Sequence, residues 1–266
     1  MNDYDFSSGN PTVCPGDNEV RQFFKVCIAD RNIEIECKYR RGFIGCKSYL
    51  AEFDKPDFIV SATNEEIKDE FRRLIGPGYD ERDDWNKTEK GDLEQTVIHR
   101  KIADNMLRCD TLLIHGAAVS ADNRCYIFTA PSGTGKTTHI LHWLDTVPGA
   151  FVVNGDKPLV NVKKKLVYGT PWCGKENMNT NTSVPLAGLI QLERGEENIL
   201  RPLTFRQMLP VLLQQSYIPA AAEEALLACN LIGQLRDVPC YHLSCTPDEE
   251  AAVIAYRGLT GRNPET

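Results

Sequence analysis

The stretch Ala130-Pro131-Ser132-Gly133-Thr134-Gly135-Lys136-Thr137-Thr138 has the residue types and spacing of a phosphate cradle. It fits the Walker A pattern, with Ala130 in the first position, where Gly is also common. In such a loop the backbone N–H groups point at phosphate oxygens from the positive end of a helix. The residues that would bind a nucleotide here are Ser132, Gly133, Thr134, Gly135, Lys136, Thr137 and Thr138. Lys136 would reach the β- and γ-phosphates, and the Thr137 hydroxyl would hold Mg²⁺. A Cβ at Gly133 or Gly135 is expected to obstruct the turn.

Holding a nucleotide is not yet chemistry, because phosphoryl transfer also needs a metal carboxylate and a group that positions or deprotonates the acceptor. Asp156 comes 20 residues after Lys136, at the carboxyl end of an apolar run, which suits a Mg²⁺ ligand, a catalytic base, or both. The competing reading is that Asn154-Gly155-Asp156 is only a turn with good turn chemistry. His115 also ends an apolar run; alone, such a His is more often a satisfied core residue than a catalytic one. In the Gly- and Pro-rich loop Gly169 to Asn177, Trp172, Lys175 and Glu176 could meet a substrate, or the loop could be solvated with its Trp packed. Arg194 and Arg201 follow the next strand and are candidates for supplying positive charge to a transferring phosphoryl group.

These residues need a sheet and helices to bring them together. Cys125 to Thr129 reads as a buried strand leading into the loop, and Thr138 to Leu144 as the helix leaving it. Thr111 to Val119 reads as one strand too apolar to be half-exposed. Ala150 to Val153, Leu166 to Tyr168, Leu186 to Leu192 and Tyr241 to Leu243 are further strands. Two or three helices are expected between Leu203 and Arg236, with Pro210 kinking the first. Thr246-Pro247-Asp248-Glu249 predicts an N-cap at Thr246 and a terminal helix from Pro247.

Upstream the pattern differs. Phe24 to Tyr39 alternates with a period of two on both sides of Asp30-Arg31-Asn32, the signature of a β-hairpin. Phe58 to Val60 suggests a strand. Asn64 to Leu74 suggests a helix ended by Gly76-Pro77-Gly78, Tyr79 to Gly91 a surface loop or linker, and Asp92 to Arg108 a second helix. The expected organisation is a flexible tail at 1–19, a small α+β domain at 20–109, and an α/β nucleotide-binding domain at 110–266 built on a mixed or mostly antiparallel sheet flanked by helices.

Composition narrows the class. The chain is 42% hydrophobic with a net charge of −7, and a surface of that sign argues against a general nucleic-acid or anionic-membrane partner. No apolar run approaches transmembrane length, and Met1 to Pro15 is polar and acidic where a signal peptide would be basic then apolar, so a cytoplasmic protein is expected. The ten cysteines show no Cys-x-x-Cys pair and no zinc-ligand spacing, which points to reduced thiols, with Cys27, Cys37, Cys125 and Cys229 on apolar faces.

From His115 onward the chain resembles the catalytic domain of HPr kinase/phosphorylase, within the phosphoenolpyruvate-carboxykinase-like kinases. The resemblance is carried by His115-Gly116 before a short hairpin, by Pro131 to Thr138, and by a strand ending at Asp156. It implies Mg²⁺-dependent transfer of the γ-phosphate of ATP to a serine or similar hydroxyl of a peptide or small protein. His115 would sit beside the metal-phosphate site, Lys136 on the phosphates, and Asp156 as metal ligand and base. Two departures stand out. HPr kinases carry two adjacent aspartates where this chain has Asn154-Gly155 before a single Asp156, and residues 1–110 match no motif of that family's amino-terminal domain. The whole is most similar to stand-alone HPr-kinase-like proteins associated with bacterial peptide modification. Members of the family are commonly oligomeric, which leaves a homo-oligomer open. Two other readings stay open: a nucleotide-binding regulatory protein that lost catalysis with the second acid, and a small-molecule kinase.

Overall fold

The computed structural model describes residues 22–39, 46–75, 85 and 89–264. The expected tail at 1–19 and the Gly76-Pro77-Gly78 stop lie outside them, as does most of the Tyr79 to Gly91 loop.

The first sheet is short and one-sided. Strands β1 (Gln22–Ile28) and β2 (Arg31–Cys37) pair antiparallel, and β3 (Phe58–Ser61) joins β2 in parallel. The turn falls on Ala29 and Asp30, one step earlier than the Asp30-Arg31-Asn32 turn expected. Both have positive φ, the pair of conformations whose twist matches a hairpin's own. Alternation sends Val26, Ile28, Ile33 and Ile35 inward, onto helices α1 (Asn64–Ile75) and α2 (Lys90–Leu107). Helix α2 therefore begins inside the stretch that reads as a surface loop. Glu94 on α2 is fully buried, and its carboxylate accepts the backbone N–H groups of Lys38 and Tyr39 at 2.7 and 2.9 Å, which pins the helix to the hairpin. The same core continues through α2 into Leu113, Leu159, Tyr168 and Trp172, so the two halves share one apolar interior.

The larger, nine-stranded sheet is mixed. Its long strand β10 (Ser183–Arg194) is the axis. Residues Ser183 to Pro185 pair antiparallel with β9 (Leu166–Tyr168), which leads through β8 (Leu159–Asn161) to β4 (Thr111–Leu113). The rest of β10 lies parallel to β6 (Arg124–Thr129) on one side and to β12 (Cys240–Cys245) on the other. Beyond β6 come β5 (Ala117–Ala121) and then β7 (Phe151–Asn154); beyond β12 comes β11 (Ile199–Leu203). Strands β8 and β11 were not foreseen. One is three residues long and the other carries Pro202, which an outer strand tolerates because it need not donate on both sides.

Successive residues of the central strands serve opposite faces. Ile127 and Leu189 pack on one side against α4 (Phe205–Gln215) and α5 (Ala222–Gly233). Phe128 and Ile190 pack on the other against α3 (Lys136–Thr146) and α6 (Glu250–Thr260). Burial on both faces explains why these strands read as apolar runs without alternation. Pro210 lies inside α4.

Three further expectations need correction. Thr111 to Val119 is not one strand: the chain leaves β4 at Ile114, turns at His115-Gly116 and enters the sheet's other wing as β5. Gly116 permits the step, since a Cβ there would stand 2.9 Å from the Ile127 side chain and 3.0 Å from the Phe128 carbonyl. The last helix starts at Glu250, not Pro247, because the Thr246 hydroxyl donates to Asp248 rather than capping, while the Asn198 side chain accepts the Thr246 N–H. Cys229 is exposed and Cys27 is half-buried on the face of β1 opposite Val26 and Ile28, so neither lies on an apolar face, while Cys37 and Cys125 are buried. Among the described residues, no helix is long and apolar enough to cross a membrane.

Candidate active site

Topology brings most of the candidate residues to one edge of the larger sheet. Strand β6 ends there and opens into the phosphate loop; β7, antiparallel to β5 as β6 is, ends there at Asn154; β5 starts there after His115-Gly116. The end of β10 delivers Arg194 to the same edge.

The loop turns through Gly133 (φ +80°) and Gly135 (φ +109°), both in the left-handed region. Space is not what selects glycine here, contrary to the expected obstruction. A Cβ at either position would meet nothing within 4 Å, so the requirement is conformational. Lys136 folds back and donates from Nζ to the Ala130 carbonyl at 2.8 Å, with Pro131 O at 3.4 Å. Burial lowers its pKa, and the Asp156 charge works the other way. Helix α3 is anchored by Trp143, fully buried against Tyr126, Phe128 and Tyr256. The Trp143 indole N–H donates to His139 Nε2 at 3.1 Å.

Asn154 and Asp156 divide the labour of the strand end. Asn154 is fully buried; its Oδ1 accepts the N–H groups of Asp156 and Lys157 at 2.9 and 2.6 Å, and its amide donates to Thr170. It builds the turn that holds Asp156 at the strand end, so the turn chemistry of the sequence reading belongs to Asn154. Gly155 is there for space, since a Cβ would stand 3.0 Å from the Cys173 carbonyl.

Asp156 is partly exposed, with His115 Nε2 3.2 Å from Oδ1 and Lys157 Nζ 3.6 Å from Oδ2. Burial works to raise its pKa; the His115 hydrogen bond and the charges of Lys157, His115 and Lys136 outweigh that and hold it below the usual carboxylate value. His115 Nδ1 lies 2.9 Å from Gln215 Oε1, and the His115 backbone N–H donates to the Gln215 carbonyl. The ring is thus held from both of its nitrogens, by Gln215 on one side and by Asp156 on the other. This contact fixes the place of the Asp156 carboxylate.

The remaining candidates separate. Arg194 reaches the loop, but its donors go to the carbonyls of Thr134 (3.1 Å) and Gly133 (2.7 Å), bracing the loop from outside. Lys175 and Glu176 are exposed on the loop whose Gly174 lies against Asp156. Trp172 is buried and stacks on His99 of α2, with ring centroids 4.0 Å apart and planes 18° apart. Arg201 is on β11 opposite His242, with β12 and β10 between it and β6. Gln215 and Lys157 had no signal in sequence. Gln215 comes from the end of α4, and only the fold brings it to a His 100 residues earlier.

No protein-family model matches the chain, and no curated protein matches its sequence.

Proposed function

We propose that the chain is an ATP-dependent phosphotransferase of the HPr-kinase-like P-loop class, acting on a serine or similar hydroxyl of a peptide or small protein. The observation that carries this reading is the meeting at one sheet edge of the glycine loop with an ionised Asp156, close enough to Lys136 for each charge to act on the other's titration.

The parts have complementary roles. Loop N–H groups and Lys136 bind the triphosphate, and Lys136 exchanges its carbonyl partners for phosphate oxygens. The Thr137 hydroxyl and the Asp156 carboxylate are hard oxygen donors, and the depressed pKa of Asp156 keeps it ionised, so the pair fits Mg²⁺. When bound, Mg²⁺ would neutralise phosphate charge. Asp156 takes the proton of the acceptor hydroxyl as that oxygen bonds to the γ-phosphorus; the bond to the β-phosphate breaks and ADP leaves. His115, held by Gln215, keeps Asp156 in position. Lys157 adds positive charge beside it. The cytoplasmic setting, the peptide acceptor and any homo-oligomer belong to the same proposal.

The test is transfer from γ-labelled ATP with Mg²⁺ to seryl peptides. Lys136→Ala and Asp156→Asn should each lower the rate by at least about a hundredfold; either variant transferring at the wild-type rate sinks the assignment. A second reading, binding without transfer, is favoured by Asn154, which is wholly committed to the turn and leaves one carboxylate where two were expected. ATP-dependent thermal stabilisation with no turnover on any acceptor would select it.

A further inference from the structure

Tyr49 ends a short 3₁₀ helix, Lys47–Tyr49, beside β1 of the amino-terminal unit, and it is fully buried. A buried phenol needs a partner for its hydroxyl, and this one donates to Asn179 Oδ1 at 3.1 Å. The other end of that amide is used as well, since Asn179 Nδ2 donates to Cys173 Sγ at 2.9 Å. With both ends of its side chain tied, Asn179 sets its backbone against Asn154 as an isolated β-bridge. On either side of that bridge the Gly155 N–H donates to the Met178 carbonyl at 2.9 Å, and the Thr180 N–H to the Val153 carbonyl at 3.1 Å.

A second line reaches the same residue from α2. His99 stacks on Trp172, and two positions earlier Thr170 is fully buried. The Thr170 hydroxyl accepts from the Asn154 side-chain amide at 2.9 Å and donates to the Lys157 carbonyl at 2.9 Å. Asn154 is therefore gripped by its backbone through Asn179 and by its side chain through Thr170. Its own Oδ1 takes the N–H groups of Asp156 and Lys157.

We infer that the amino-terminal unit braces the acceptor side of the active site, with Tyr49 and Thr170 as positioning residues for Asp156; this rests on Asp156 acting in phosphoryl transfer, as proposed above. Two further ties from the same unit hold the same flank. Asn181 Nδ2 donates to the Ser48 carbonyl at 2.8 Å, and the Tyr168 hydroxyl donates to Asp30 Oδ2 at 2.7 Å. The phosphate side is braced differently, by Arg194 from within the larger sheet. Asp156 has a short side chain, so its carboxylate goes where the Asn154 turn puts it. An error of about 1 Å in the placing of a reacting group costs up to about a hundredfold in rate. Phosphate binding should be indifferent to that error, because loop amides and Lys136 supply it.

Amide hydrogen exchange of the full chain, read by NMR, follows the turn without any acceptor. In Tyr49→Phe, which removes only the hydroxyl, the Asp156 and Lys157 amides should exchange about tenfold faster, while those of the β1–β2 hairpin keep their wild-type rates. Thr170→Val should do the same, and Thr170→Ser, which keeps the hydroxyl, should recover most of the protection. Calorimetric titration with inorganic tripolyphosphate in Mg²⁺ should give the wild-type affinity for all three variants. In transfer from γ-labelled ATP to seryl peptides, Tyr49→Phe and Thr170→Val should each lower kcat about tenfold with the KM for ATP unchanged. Exchange at Asp156 and Lys157 that stays at the wild-type rate in both variants, or that rises in step with the hairpin amides, would refute the brace. Full kcat in a variant whose turn has loosened would refute the positioning role. A wild-type chain that transfers no phosphate would bring down the proposed function instead, with the exchange rates still deciding whether the brace exists.

Discussion

Two glycine-bearing loops meet at the same sheet edge and are built on opposite principles. In the phosphate loop, Ser132 and Gly133 are exposed, the glycines have open space around them, and Lys136 is bonded to the loop's own carbonyls. In the loop from Gly169 to Thr180, Pro171, Trp172 and Cys173 are buried, and the Thr170 hydroxyl joins Asn154, Lys157 and Trp172. The first loop turns side-chain donors on its own carbonyls; the second sends the Thr170 hydroxyl to Lys157 in the protein beneath it, with Trp172 also in reach. Beside each lies a buried imidazole with a nitrogen that has no partner among the described residues, His139 on the helix that follows the first and His99 stacked on Trp172 of the second. A flexible-looking composition thus conceals one open loop and one structural wedge, and the polar groups' partners tell them apart.

The largest effect should come from removing the wedge. Trp172→Ala leaves a cavity in the core shared by α2 and the larger sheet and takes the stacking partner from His99, a loss of about 3–5 kcal/mol in urea unfolding. No mutation confined to the phosphate loop should approach it. A cost under about 1 kcal/mol would mean that Trp172 is free to do something else.

Glycine substitutions sharpen the contrast. A Cβ at Gly169 would collide with the Thr180 carbonyl and stand 2.7 Å from the Val153 carbonyl, so Gly169→Ala must displace backbone and should cost about 3 kcal/mol. Gly133→Ala meets no atom and should cost only the left-handed penalty, about 1–2 kcal/mol, while impairing triphosphate binding. Equal unfolding midpoints for the two variants would erase the distinction.

Sequence made the open loop legible and left the wedge ambiguous for a physical reason. The phosphate loop depends on local rules: two glycines at fixed spacing, a Lys, a preceding apolar strand and a following helix, all within a few residues. The hairpin of β1 and β2 was legible likewise, since alternation is a local consequence of one buried face. The wedge depends on His99, which meets Trp172 only when α2 packs across the sheet. Gln215 behind His115, Arg194 across the loop carbonyls, and the break of Thr111 to Val119 at Gly116 are also products of long-range packing. No spacing rule reaches them.

The buried imidazoles predict a shared acid response. Burial lowers the pKa of both His139 and His99, with Lys157 further disfavouring the charged form of the latter. The unfolded chain then binds protons that the folded one refuses, so stability falls as pH drops below about 6.5, down toward the folded values. His99→Gln and His139→Gln should each flatten that slope, as read from thermal midpoints between pH 7 and 4. An unchanged slope in both would mean that these rings are protonated in the fold.

The smallest effect tests how the open loop keeps its shape without packing. Arg194 spans the Gly133 and Thr134 carbonyls from an exposed position, so its two hydrogen bonds contribute little to global stability. Their consequence is local, because both carbonyls belong to residues whose amides are needed for phosphate. Arg194→Ala should leave the unfolding midpoint nearly unchanged yet weaken tripolyphosphate binding about fivefold, the cost of ordering the loop at the moment of binding. Arg194→Lys, which cannot grip two carbonyls with a planar fork, should recover only part of that loss. If the alanine variant instead bound tripolyphosphate normally but lost phosphoryl transfer, Arg194 would act on the transferring group and not on the loop. The open loop would then owe its shape to Gly133, Gly135 and the Lys136–carbonyl bonds alone.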